Sequence, residues 1–137
     1  MLEKQRLLVV DDDPQITDTI AGIGIESGFD VKTLNQSGAF FSEYTAINPD
    51  VLCIDIHMPD VDGIEILRWL SGVECRASVI ILSGGDPLFS TVAQRIGEAA
   101  KLDVTTIEKP FLVEDFREVL KRTIDGDHHA APAGRFV

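Results

Sequence analysis

Cysteine is scarce in this chain: Cys53 and Cys75 are the two thiols in 137 residues. Two cysteines do not make a disulfide framework, and no Cys/His spacing fits a zinc site. Cys53 lies inside an apolar run and reads as a small core residue. Positive charge is scarce as well, with 12 Lys+Arg against 23 Asp+Glu and a formal net charge of −11. A chain this acidic is a poor candidate for binding nucleic acid or an anionic membrane through charge alone. Long apolar runs are absent, since none approaches the roughly 20 residues that span a bilayer. Met1 to Arg6 shows no signal-peptide h-region or small-residue cleavage site, and a cytoplasmic location is expected. What is present is ordinary for one globular domain: 45% hydrophobic and 26% charged residues, which excludes disorder and a fibre. Converging carboxylates in so acidic a chain could hold a divalent cation.

Short β-branched runs alternate with segments of helical period. Leu7 to Val10 reads as a buried strand, followed at once by Asp11-Asp12-Asp13-Pro14. Asp13 suits an N-cap and Pro14 the first helical position. Ile16, Ile20 and Ile23 then mark a helix ending near Gly28. Phe29 to Thr33 is a second strand. Ser37 to Ile47 carries Phe40, Phe41 and Tyr44 at helical spacing, and Asn48-Pro49 stops it. Val51 to Ile54 is a third strand, ending at Asp55. A loop with Pro59 and Gly63 leads to a helix over 64–70. Val79 to Leu82 is the fourth strand, ending at Ser83-Gly84-Gly85. Asp86-Pro87 repeats the cap-then-proline opening, and Val92, Ile96 and Ala99 predict the core face of the next helix. Val104 to Ile107 is a fifth strand, ended by Lys109-Pro110, and a last helix over 111–123 carries Phe116, Val119 and Leu120. Five strand-then-helix repeats with continuously apolar strands predict an α/β fold on a parallel sheet covered on both faces. Residues 1–124 are expected to form the domain. Residues 125–137 lack periodicity and read as a tail or linker.

In an open parallel sheet, ligands bind at the carboxyl ends of the strands. Asp11 and Asp12, Asp55, Ser83 and Lys109 stand at four of those ends. If the four strands are neighbours, these residues share one shallow cleft. Three carboxylates there repel one another, raising their pKa values unless a cation joins them. Oxygen-only ligands plus water suit Mg2+ beside phosphate. Lys109 adds a point charge for a phosphoryl oxygen, Ser83 a short hydroxyl donor, and Gly84 leaves room for a substrate to approach Asp55. A carboxylate can attack phosphorus and form an acyl phosphate, with the surrounding charges neutralising the transferring group. The set reads as an aspartyl-phosphate site with Asp55 as phosphoryl acceptor.

The segments LLVVDDDP (7–14), PDVLCIDIHMPDVDGIEIL (49–67), VIILSG (79–84) and EKPF (108–111) together resemble the receiver domain of two-component response regulators. The resemblance covers residues 5–123. It implies a flavodoxin-like five-stranded parallel sheet of order 2-1-3-4-5, with helices on both faces. It implies phosphoryl transfer to Asp55 from a sensor histidine kinase or phosphotransfer protein, with Mg2+ held by Asp11, Asp12, Asp55 and the backbone carbonyl of His57. Asp12 would bind the ion directly and Asp11 through water. Ser83 and Lys109 would hold the phosphoryl oxygens, and the Lys109-Pro110 bond is expected to be cis. Such a domain catalyses only its own phosphorylation and dephosphorylation, passes the signal to an output domain or effector, and in some cases forms a homodimer. Many receivers carry an aromatic residue where this chain has Thr106, so a shift of the loop after Ser83 is expected to carry the signal instead. The segment 82–111 is similar to receivers joined to cyclic-di-GMP phosphodiesterase domains of the EAL type.

Other readings compete. Asp11 to Asp13 could be helix-capping acids alone, yet one Asp suffices for a cap. A haloacid-dehalogenase-like phosphatase uses a similar set, but has a second Asp where His57 stands here. A nucleotide or flavin site on this fold would need a Gly-rich loop after the first strand, and none follows. A pseudo-receiver, which binds a partner without taking phosphate, is the alternative kept beside the signalling reading. Asp60 and Asp62 fail the spacing of a calcium loop. His128 and His129 read as solvated. Phe40, Phe41, Tyr44 and Trp69 read as core or interface, and Leu88-Phe89 as either a partner contact or core packing.

Overall fold

The computed structural model describes residues 4–59 and 63–124. The elements run β1 (Arg6–Val10), α1 (Pro14–Glu26), β2 (Asp30–Leu34), a 3-10 turn (Ser37–Ala39), α2 (Phe40–Ile47), β3 (Val51–Asp55), α3 (Gly63–Ser71), β4 (Ser78–Ser83), α4 (Pro87–Ala100), β5 (Asp103–Glu108) and α5 (Val113–Ile124). The five strands form one parallel sheet in the order β2-β1-β3-β4-β5. The expected order is therefore the observed one. Asp60, Asp62, His128, His129 and the expected tail lie outside the described residues.

Alternation along each strand divides the core in two. Leu8, Leu52, Ile54, Val79 and Ile81 face one layer, against α2, α3 and α4. Leu7, Val9, Cys53, Ile80 and Leu82 face the other, with Ile20 of α1 and Phe116 of α5. Side chains such as Phe40 and Phe116 are fully buried, and each contributes roughly 1.5–3 kcal/mol relative to exposure. Phe40, Phe41 and Tyr44 of α2 meet Trp69 of α3, with ring centroids 5.0–5.9 Å apart. Phe40 and Tyr44 are buried and Phe41 and Trp69 are half-buried against the core, so the core reading holds rather than ligand binding. No helix among the described residues is long and apolar enough to cross a membrane.

The caps are those read from the sequence. Asp13 accepts from Gln15 N at 2.9 Å and Asp86 from Leu88 N at 3.0 Å, each before a proline. Asn48 closes α2 in the left-handed region, at φ 51°. Two expectations are corrected. Ser37 to Ile47 is not one helix, because its first three residues wind as a 3-10 turn. The core face of α4 is Ala93 and Gly97, whereas Val92 and Ile96 are half-buried and Ala99 is exposed. The physical reason is close approach: a Cβ on Gly97 would lie 2.5 Å from Val104 Cγ2. The smallest residues of the helix, not its largest apolar ones, meet the sheet there.

Candidate functional site

Asp11 follows β1 directly. Its amide donates to Leu34 O at 3.1 Å, and its carbonyl accepts from Asn35 Nδ2 at 3.0 Å. Its side chain is fully buried, and Oδ1 accepts from Asp13 N at 2.9 Å. These bonds hold the carboxylate at the strand end. Asp55 closes β3 at 4% exposure, and its Oδ1 accepts from His57 N at 3.1 Å. Lys109 follows β5, where its amide donates to Ser83 O at 2.7 Å. Its ammonium lies 2.8 Å from Asp11 Oδ2 and 3.5 Å from Asp55 Oδ2. The Lys109-Pro110 bond is cis, as the resemblance implied.

Asp12 is exposed, yet one oxygen from each of Asp11, Asp12 and Asp55 lies within 4.8 Å of the others. The sequence expectation of a convergent acidic cleft is met for these three and Lys109. The donor set fits Mg2+: the converging ligands are all hard carboxylate oxygens, one of them exposed on Asp12. Asp11 Oδ2 is buried and accepts no well-aligned hydrogen bond; Lys109 partly neutralises it.

Electrostatics follow from this crowding. Burial is the largest cause of a raised Asp55 pKa, opposed by the amide of His57, with Asp11 adding repulsion. Mutual repulsion, the expected cause, is thus the smaller one. Burial disfavours the charge on Lys109, but contact with Asp11 and Asp55 more than offsets it and raises its pKa. Cys53, one step back from Asp55 on the same face, is fully buried, and burial pushes its thiol well up.

The other expected residues are placed as follows. Ser83 ends β4 and is fully buried, and its hydroxyl accepts from Ser90 Oγ at 3.2 Å. A Cβ on Gly84 would meet nothing within 4 Å, which leaves the approach open. The His57 ring is exposed and meets Phe89 edge to face at 4.5 Å. Leu88 is 65% exposed. Thr106 is buried and accepts from Gln94 Nε2 at 3.1 Å. Sequence reasoning missed Asn35, Ser90 and Gln94. The signal for the last two was present: polar side chains one turn apart, interleaved with the small residues of α4.

Comparison with known proteins agrees with this geometry. The family model for the response regulator receiver domain matches residues 7–121. The transcriptional regulatory protein TrcR of Mycobacterium tuberculosis is 31% identical over 122 residues, covering 86% of this chain and 46% of that protein. The chemotaxis protein CheY of Bacillus subtilis is 31% identical over 121 residues, covering 88% of this chain and 98% of that protein. A beryllofluoride-activated DrrB receiver domain superposes with a TM-score of 0.74 at 26% identity, covering 90% of this chain and 99% of that one. The chain belongs to the response regulator receiver domain family of two-component systems. It is homologous to response regulators, and phosphorylation-switched signalling is the function this membership supports. Receiver domains bind Mg2+ and are not classical enzymes. The chain spans about half the length of TrcR.

Proposed function

We propose that Asp55 accepts a phosphoryl group from a sensor histidine kinase or phosphotransfer protein and thereby switches the surface this domain offers to an output domain or effector. The observation that carries this reading is the convergence of the Asp11, Asp12 and Asp55 carboxylates, with the Lys109 ammonium against Asp11 and Asp55, at the carboxyl end of the sheet. An Asp55 carboxylate oxygen attacks phosphorus, the bond from phosphorus to the donor nitrogen breaks, and the electron pair leaves on the donor imidazole. The amide of His57 holds Asp55 Oδ1, which leaves Oδ2, beside Lys109, as the attacking oxygen. Lys109 then turns its charge to a phosphoryl oxygen, and Ser83 supplies a hydroxyl donor. Asp11, Asp12, Asp55 and the His57 carbonyl would hold Mg2+, which supplies charge neutralisation for the transferring group.

The domain is proposed to act only on itself, in taking and losing phosphate. Residues 1–124 are proposed as the receiver and 125–137 as a linker or tail. The likeness of segment 82–111 to EAL-linked receivers is the pointer to an output type, and a cytoplasmic location follows from the kinase partner. Intact mass after incubation with Mg2+ and a small phosphodonor tests the reading. Wild type gains one phosphoryl group and Asp55→Asn gains none. Uptake by Asp55→Asn at the wild-type rate overturns the assignment. No gain by either protein, where CheY of Bacillus subtilis reacts, makes the chain a pseudo-receiver.

A further inference from the structure

Two side chains one turn apart tie α4 to the sheet. Ser90 Oγ donates to Ser83 Oγ at 3.2 Å. Gln94 Nε2 donates to Thr106 Oγ1 at 3.1 Å and reaches Val104 O at 3.4 Å. Positions four apart share a helix face. Strand parity explains the partners. Ser83 follows Ile81 on the α4 side of the sheet, whereas Asp55 follows Cys53 on the opposite side. The Ser83 hydroxyl therefore rests towards α4, away from the direction of the acceptor.

The helix is held unequally along its length. Its C-terminal half is seated on β5 by Gly97, which meets Val104, and by Gln94. Its N-terminal half carries the 65% exposed Leu88, and Phe89, half-buried against the core with its ring on His57. Among the described residues, Ser90 hydrogen-bonds this half to the sheet through Ser83. We propose that Ser90 is a positioning residue that holds the Ser83 hydroxyl towards α4, so that loading of Asp55 has to break the Ser83–Ser90 hydrogen bond. This rests on the acceptor-site reading above. A serine hydroxyl turns on one bond. Swinging it to a phosphoryl oxygen breaks its contact with Ser90. Ser90 thus opposes loading by the worth of one net hydrogen bond, about fivefold in an equilibrium.

The test uses beryllofluoride with Mg2+ as the phosphoryl mimic, titrated into the full chain and followed by fluorine NMR. Ser90→Ala is expected to bind it about fivefold more tightly, the worth of the lost hydrogen bond. Ser90→Thr, which keeps the hydroxyl, should return to the wild-type affinity. In a Ser83→Ala background, Ser90→Ala should change nothing, because its partner is gone. Unchanged or weaker binding by Ser90→Ala overturns the proposal. So does an equal gain with and without Ser83, which marks general loosening of α4. Failure of the acceptor-site reading looks different: wild type takes no beryllofluoride, or Asp55→Asn takes it equally well, and the proposal falls with that reading.

Discussion

Gly63→Ala should damage both the fold and the site. Gly63 opens α3, and its amide donates to Ile56 O at 3.0 Å. A Cβ there would lie 2.7 Å from Ile56 Cα and 3.1 Å from Asp55 O. Both are backbone atoms, so neither can rotate away. Ordinary contact begins near 3.4 Å, so α3 must retreat by about 0.7 Å or push the end of β3 back. Overpacking of this kind costs about 1–3 kcal/mol. Ala gains little helix propensity in return at the first helical position. For a chain of this size the loss lowers the melting temperature by roughly 3–5 °C per kcal/mol. The strand end that moves is the one carrying Asp55 and the amide that orients it. Phosphoryl uptake should therefore slow by roughly tenfold or more, the scale of a misplaced reacting group. Thermal unfolding by circular dichroism and intact-mass rates in Mg2+ measure the two effects. Gly22→Ala is the control. A Cβ there meets nothing within 4 Å, so it should be neutral or stabilising by up to about 1 kcal/mol. A Gly63→Ala protein within about 0.5 kcal/mol of wild type, with unchanged uptake, refutes the reasoning.

Three further outcomes are expected. Lys109→Ala leaves the fully buried Asp11 without the cation 2.8 Å away; it should cost about 1–3 kcal/mol, and millimolar Mg2+ should recover most of that in a melting experiment. Asp55→Asn should stabilise the metal-free protein at pH 7: burial raises the Asp55 pKa, so its charge is unfavourable to the folded state above the folded pKa and costs nothing below the unfolded one. The gain should fade as pH falls through the ordinary carboxylate range, and denaturant titrations at pH 7 and pH 4 would expose a wrong sign. Gly97→Ala should destabilise by about 1–3 kcal/mol, because its Cβ would sit 2.5 Å from Val104 Cγ2; an unchanged unfolding midpoint would mean that α4 is free to slide.

The sheet and its order were legible because apolar strands in a covered parallel sheet leave a strong local trace. Leu7 to Val10, Val51 to Ile54 and Val79 to Leu82 carry it with little competition from polar residues. The caps at Asp13 and Asp86 were legible for the same local reason. Asp11, Asp55 and Lys109 could be placed because strand ends in such a sheet share one edge. What escaped depends on distance between elements. Nothing local says that α4 approaches β5 so closely that Ala93 and Gly97 replace Val92 and Ala99 as its buried positions. That approach also brings Gln94 within reach of Thr106 and Ser90 within reach of Ser83. Asn35 escaped because its partners, the Asp11 carbonyl after β1 and Thr17 Oγ1 of α1, belong to other elements.

The position of Cys53 has a practical consequence. The thiolate, not the thiol, is the reactive species. Cys53 is fully buried and its thiol is held well above the usual range, so maleimides and peroxide have neither a path to it nor a nucleophile to meet. The floor beneath Asp55 is therefore indifferent to redox conditions. Cys75, half-buried between α3 and β4, is the other thiol. A single equivalent of a thiol dye should attach there on the native protein, giving one spectroscopic label away from the carboxylates without removing either cysteine.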